Sequence, residues 1–514
     1  MKLLVVGLDG ATFDIIQPMV AQNRLPNLAR LMKTGAWGIL NSAIPPISPS
    51  AWRTFATGKN PGKHGVYDFQ TWNPDYSRQP RPIQWQKHKT VLRLLTESGR
   101  RVISIDVPFS YPPEQVNGLV ITGYPTPRTP DTIFTYPADL PQQLQKKGFD
   151  VKLGWPEDRI DVHPDFFKAW QQTMQERGKL VNYLFHEEEW DLFTVVFGIT
   201  DTLAHTLWHY VDPAHPASQD KRANEYKEAL LHGYEQCDYI LGQLWQAMDD
   251  DTHLIVLSDH GFGTIRPRQW FALKAYTEIG WLRRVIRELR PGSKAALRGA
   301  LAQGGVLIES SAIDYSRSFT LPSDMGTHIY LNRKDRFHNG LLNSAEAQEM
   351  AKVIRHMLLN VTDTIDGLPV IKEVYLANDI YHGEAFNDAP DLVIEYLNRY
   401  KPDKASTTPN PNLEGGHVME GILLAWGNGI QTKHIPDTEI VNLASTMLYM
   451  LDEPIPADMD GKVLTELLNT AWLDEHPIQH SNEHATMKTT DSIEYTAEEE
   501  SAVNEQLRAL GYID

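Results

Sequence analysis

The sequence predicts a doubly wound α/β fold: a mostly parallel sheet sandwiched by helices, with a cap subdomain inserted late in the chain. Three observations carry that expectation. Short, continuous apolar runs recur along the chain, as strands buried on both faces require. Amphipathic stretches at helical spacing separate those runs, which is the pattern of crossovers packed on both sides of a sheet. The pattern then loosens between Gly263 and about Pro390 before a core-like pattern returns.

The first strand candidate is Leu3 to Leu8, ended by Asp9. The run is short and no small-residue cleavage site follows, so it reads as a strand and not as a secretory leader. Leu25, Leu28, Leu31 and Met32 then recur at helical spacing. Further strands are expected at Val102 to Val107, Leu119 to Thr122, Leu192 to Phe197, Leu254 to Leu257, Leu392 to Glu395 and Gly421 to Trp426. Tyr226, Leu230, Cys237, Leu241 and Leu244 mark the buried face of one long helix, with Cys237 as core filling. Trp270 to Arg298 reads as helical and basic, and SFTLP and GTHIYLN as short strands outside the core. The division expected is residues 1–263 as the first part of the core, 264–390 as an inserted cap, 391–470 as the closing part, and 471–514 as a polar linker with a final helix. The basic stretch from Arg283 to Arg298 and the acidic start Glu498 to Glu500 of the last helix both read as solvated faces.

Bulk properties narrow the function. A chain of 514 residues, 41% hydrophobic, exceeds the size at which one core stops growing and so allows an insertion. Its formal charge of −18, from 48 basic and 66 acidic residues, excludes a nucleic-acid polymer as the main partner, because counterion release needs clustered Lys and Arg. A small anionic substrate remains compatible if bound cations make one pocket positive. The single cysteine excludes an intramolecular disulfide and fits a reducing compartment. No run approaches the roughly 18 apolar residues of a bilayer span, so a soluble, cytoplasmic protein is expected.

Ligands of open parallel sheets collect at the carboxyl ends of the strands. Asp9 follows LLVVGL, Asp201 follows LFTVVFGIT, and Asp259 with His260 follows LIVLS, so three strands deliver carboxylates and imidazole to one edge. Asp201 and His205 lie four apart at a helix start, which puts both on one face within reach of one ion. His209 extends that stripe but lies between Trp208 and Tyr210 and reads as packed against aromatics. His417 lies in EGGHVMEGILLAW, where glycines allow close approach just before a strand. Ser48 precedes Pro49 at the expected start of a helix whose inner face is Trp52 and Phe55. There it is either a capping serine or a hydroxyl held at the positive helix end, where phosphate binds. Three carboxylates, three imidazoles and no thiolate suit two divalent ions, Zn²⁺ first and Mn²⁺ also.

The order strand-Asp-Gly, a hydroxyl nine before Thr-Gly and then NPGKHG, Asp-x-x-x-His, Ser-Asp-His-Gly, and Gly-His before a strand resembles the alkaline phosphatase superfamily. Within it the chain looks like the type I phosphodiesterase/nucleotide pyrophosphatase branch, including APDLVIEY and IPADMDGKVL. The resemblance implies that Asp201, His205 and His417 hold one metal, and that Asp9, Ser48, Asp259 and His260 hold the other. Ser48 would then be the nucleophile of a phosphoseryl intermediate. Many relatives use Thr at that place, a mild change. Where such enzymes carry a phosphate-holding Asn, this chain has Phe69, with Gln70 and Arg53 as the nearby polar substitutes.

The expected function is a two-metal hydrolase of small phosphoric esters, acting on phosphodiester or pyrophosphate bonds. Phe69 leaves open a phosphomonoesterase or phosphomutase on the same scaffold. A sulfatase fits less well, since Pro49 falls one place early for that branch's nucleophile motif. The rival from another class is a noncatalytic metal-binding regulatory protein, which has no chemical need for all seven residues.

Overall fold

The computed structural model describes residues 1–80, 87–151, 164–265, 315–323, 325–363, 367–400, 410, 413–486, 495–509 and 512–513. The elements that build the site are, in chain order, β1 (Lys2–Leu8), β2 (Ala36–Asn41), α1 (Ser48–Thr57), β3 (Val102–Val107), β4 (Gly118–Thr122), β5 (Leu192–Phe197), α2 (Ile199–Val211), α3 (Ala223–Ala247), β6 (Thr252–Leu257), β7 (Gly261–Ile265), β8 (Glu414–Val418), β9 (Glu420–Trp426) and α4 (Ala497–Ala509).

Strand β1 shows why the sheet must be covered twice. Leu4, Val6 and Leu8 pack into one apolar cluster with residues of α2 and α3, while Leu3 and Val5 pack into another with α1 and the helix Asn442–Met450. Successive side chains of a strand point to opposite faces, so an all-apolar strand has no face to give to water. Cys237 lies on α3, fully buried in the first cluster, as expected of core filling.

The main sheet runs Lys433–His434, β2, β9, β6, β1, β5, β3, β4 and Thr135–Tyr136, with Thr438–Glu439 also on β2. From β6 to β4 all pairings are parallel. Strand β9 is antiparallel to both β6 and β2. That one reversal brings the chain back to the same edge. Leu8 pairs with Phe197 and Gly7 with Leu257, so β1, β5 and β6 end nearly level. Glu420 pairs with Asn41, so the start of β9 and the end of β2 lie on that edge too.

The sequence puts Leu392 to Glu395 in the main sheet, and the structure does not. Leu392–Tyr396 pairs antiparallel with His328–Leu331 and Ile371–Leu376 in a separate four-stranded sheet that also holds Thr320–Pro322. Its residues are all buried, and a mostly apolar run tells that both faces are covered without telling by what. The helix Ser344–Leu359 lays Ala347, Ala351 and Leu358 on this sheet. Part of the stretch expected as a polar linker is also ordered: Thr470–Glu475 is a helix that buries Trp472, and His480–Ser481 pairs with Ile455–Pro456. The basic stretch Arg283 to Arg298 lies outside the described residues. Among the described residues no helix is long and apolar enough to cross a membrane.

Helix α1 reaches the sheet because Gly7 has no side chain. A Cβ there would meet the Trp52 ring at 2.7 Å and Val196 at 2.8 Å. The Gly7→Ala variant is therefore overpacked, and we expect it to lose about 1–3 kcal/mol of stability, read as a lower urea midpoint with an unchanged slope. An unchanged midpoint would show that the helix can lift off the strand at no cost.

Candidate active site

All seven candidate residues meet at the carboxyl edge of the sheet. Asp9, Ser48, Asp201, Asp259, His260 and His417 are buried, and His205 is partly exposed. Asp9 follows β1, its amide donating to the Phe197 carbonyl at 3.1 Å. Asp201 and His205 lie in the first two turns of α2. Asp259 and His260 occupy the two-residue space between Ser258, just past β6, and β7, and β7 then pairs with β8 so that Phe262 lies opposite His417.

The side chains divide into two sets. The ligand atoms of Asp201, His205 and His417 lie within 4.8 Å of one another, and so do those of Asp9, Asp259 and His260. His417 Nδ1 donates to the Pro46 carbonyl at 3.1 Å, since that oxygen can only accept, which leaves Nε2 bare. His260 Nδ1 likewise donates to the Gly261 carbonyl at 3.0 Å. Both imidazoles are thus held in the tautomer that presents Nε2 as a ligand. His205 Nε2 and His417 Nε2 stand only 2.8 Å apart, with Asp201 oxygens 3.4 Å from each.

Three oxygens show what the site lacks. Asp9 Oδ1, Asp201 Oδ1 and Asp259 Oδ2 are buried and accept no hydrogen bond among the described residues. Imidazole stands close by: His260 Nε2 is 3.7 Å from Asp9 Oδ1 and 3.4 Å from Asp259 Oδ2. The other oxygens are engaged, Asp9 Oδ2 by Trp52 Nε1 at 3.1 Å and Asp259 Oδ1 by the Gly10 amide at 3.3 Å. Each carboxylate thus keeps one oxygen fixed and the other free. A buried anionic oxygen without a donor costs several kcal/mol, and a coordinated cation removes that cost.

The charges respond accordingly. Burial raises the Asp9 carboxyl well above its ordinary range, and the negative charges of Asp259 and Asp201 add to the rise. Burial and the charge of Asp201 push Asp259 up to about 7. Burial acts in the same direction on Asp201, but His205 and His417 outweigh it and hold that carboxyl below its usual range. Burial, and next to it the charge of His260, drives His417 well below the usual imidazole value. Donor chemistry, orphaned oxygens and fixed tautomers fit two divalent cations, one per set.

Ser48 is not the capping residue its sequence setting allows. It is the first residue of α1, the cap position falls on Ile47, and no side-chain capping bond is made there. Its Oγ instead faces His260 Nε2 at 3.2 Å. His209 lies against Tyr210, ring centroids 4.1 Å apart, outside both ligand sets as its aromatic neighbours suggested.

A cavity of about 60 Å³ opens beside Ser48 and Asp9, walled by Phe69, Tyr124 and the Asp106–Arg177 ion pair of 3.0 Å. Gln70 and Arg53 do not line it. Gln70 donates to Asn504 Oδ1 at 2.8 Å, and Arg53 reaches the His88 carbonyl at 3.2 Å. Gln506 and Tyr512 are among the lining residues that sequence reasoning missed. They come from the last helix and the residues after it, which carry no chemical motif; the buried positions Val503 and Leu507, four apart, are the one signal that α4 packs on something.

A family model described as type I phosphodiesterase / nucleotide pyrophosphatase matches residues 3–421 of the chain. Among solved structures, murine ectonucleotide pyrophosphatase/phosphodiesterase 5 is similar at 12% identity with a TM-score of 0.51, covering 91% of this chain and 100% of that one. An inactive variant of the murine protein in complex with AMP is similar at the same identity, TM-score and coverage, 12%, 0.51, and 91% and 100%. At this identity the likeness concerns the fold, a large mostly parallel sheet flanked by helices. No curated protein matches the chain.

Crowded carboxylates make the metal-free site a source of instability. In chelator at pH 8 we expect Asp259→Asn to melt at a higher temperature than the parent, because one buried charge is gone. The same variant should gain less from added Zn²⁺ in a thermal-shift titration. A lower melting temperature in chelator would show that the carboxylates do not oppose one another.

Proposed function

Since the chain belongs to the type I phosphodiesterase/nucleotide pyrophosphatase family and is a phosphoric ester hydrolase, we propose that it cleaves a small phosphodiester or pyrophosphate through a phosphoseryl intermediate on Ser48. The observation that carries this reading is the serine hydroxyl at the start of α1, which makes no capping bond and faces His260 Nε2 at 3.2 Å between the two ligand sets. A serine that merely capped the helix would spend its oxygen on a backbone amide.

In this reading Asp201, His205 and His417 hold one divalent ion, and Asp9, Asp259 and His260 with Ser48 the other. Such ions, Zn²⁺ first and Mn²⁺ also by their ligands, supply charge for the phosphoryl oxygens and favour the alkoxide of a bound hydroxyl. The chain does the rest. Helix α1 presents its positive end to the phosphoryl group, which adds attraction without reorganisation. Ser48 Oγ bonds to phosphorus as the bond to the leaving oxygen breaks, and water then cleaves the phosphoserine and restores the hydroxyl. Trp52 and the Gly10 amide keep Asp9 and Asp259 turned so that one oxygen of each faces the site. The Phe69 wall and the small cavity favour compact substituents, which keeps a phosphomonoester as the second reading.

The test is turnover of bis-p-nitrophenyl phosphate, p-nitrophenyl phosphate and p-nitrophenyl sulfate by metal-loaded protein. We expect the diester to lead, the monoester to follow and the sulfate to fail. Ser48→Ala should cost about 10³-fold or more in kcat. Parent-level activity in that variant would remove Ser48 from the chemistry, and a preference for the monoester would replace the first reading with the second. Elemental analysis should find two divalent ions per chain after purification without chelator; fewer than one would count against the paired site.

A further inference from the structure

One hydrogen bond to the site comes from a residue outside the seven and far from them in the chain. The Tyr512 hydroxyl donates to Asp201 Oδ2 at 2.8 Å, in a buried position. The other oxygen of that carboxylate, Oδ1, is left without a hydrogen bond among the described residues and lies 3.4 Å from His417 Nε2. The tyrosine ring also packs edge-on against His205, with centroids 5.3 Å apart. A residue far along the chain therefore touches two of the three members of one ligand set.

Its placement is over-determined. Tyr512 lies on Phe69, with ring centroids 4.4 Å apart and planes at 22°. Its amide donates to the Leu507 carbonyl at 2.9 Å, which fixes it to the end of α4. Helix α4 is in turn tied to separate parts of the core: Gln506 Nε2 donates to the Thr126 carbonyl at 2.8 Å, and Tyr111 donates to Glu499 at 2.6 Å. Packing and hydrogen bonds from several elements set the hydroxyl where it is, and carboxylate ligands that accept such a bond present one defined oxygen to a metal. Phe69 acquires a reason on the same argument. An apolar ring in place of a polar phosphate ligand is the seat on which Tyr512 stacks.

We propose that Tyr512 is a positioning residue for the Asp201–His205–His417 metal site, held by Phe69 and α4, and that its hydroxyl turns Asp201 so that Oδ1 alone serves the ion. The inference rests on the paired metal site described above, but not on which ester is cleaved.

Tyr512→Phe tests it, because the ring and its stacking on Phe69 survive the change. In a calorimetric Zn²⁺ titration of metal-free protein, one of two binding events should weaken about 10- to 100-fold, and the other should stay at the parent value. The visible spectrum of the Co²⁺-loaded variant should change at one of its two ions. Phe69→Ala should weaken the same event, and the double variant should lose little more than the worse single one. Parent affinity at both sites in Tyr512→Phe overturns the proposal. Tighter binding or faster turnover also overturns it, since Tyr512 would then compete with the ion or substrate. A parent that binds fewer than two Zn²⁺ takes this inference down with the paired site. A parent that binds two and turns over no ester removes the proposed function alone, and the titration of Tyr512→Phe still decides the tyrosine's role.

Discussion

Three carboxylates buried within one pocket are the constraint to which the rest of the molecule answers. Asp9, Asp201 and Asp259 are almost wholly withdrawn from water, and each keeps one oxygen with no donor among the described residues. Left alone, such a group either takes up a proton or unfolds its surroundings. Here three adjacent parallel strands end nearly level, so the carboxylates that follow them share one buried edge. The fold thus holds an unfavourable arrangement that bound cations would relieve, which is how a binding site differs from a merely polar core.

Topology explains how residues four hundred positions apart share that pocket. A parallel sheet sends every strand's carboxyl end to one edge, and the reversal at β9 returns the chain there once more with His417 on the strand just before it. Gly7 lets α1 lie against β1, so that Trp52 holds Asp9 while Ser48 stands at the helix start above it. The neighbouring imidazoles are held by backbone carbonyls at their far nitrogens. Small local features of this kind, a missing Cβ and two carbonyl acceptors, convert a sheet edge into a set of aimed ligands.

The C-terminal helix gives the pocket its remaining walls. Its sequence reads as an acidic, soluble helix after a polar linker, yet Val503, Leu507, Tyr512 and Ile513 join Phe69 and Phe109 in one buried cluster. Glu499, expected to be a solvated charge, accepts the Tyr111 hydroxyl. Amphipathicity reports that a helix has a partner and not which one. The place of Phe69 is therefore intelligible only once the segment stacked on it is known.

The mostly parallel, sandwiched sheet and the edge at which seven candidate residues converge were legible in the sequence because both depend on local chemistry. Apolar runs, Asp after a strand, Asp and His four apart and glycine beside His417 have consequences set within a few residues. The strand Leu392–Tyr396 was misassigned for the complementary reason, since burial on both faces looks the same in either sheet. Whether Ser48 capped its helix or faced His260 was likewise undecidable locally, as both uses begin from the same backbone. The sequence by itself determined which groups could perform phosphoryl chemistry. Only the tertiary structure decided which oxygens are left free for a metal, and that Tyr512 stands over Asp201, because those facts depend on contacts between segments that no local pattern links.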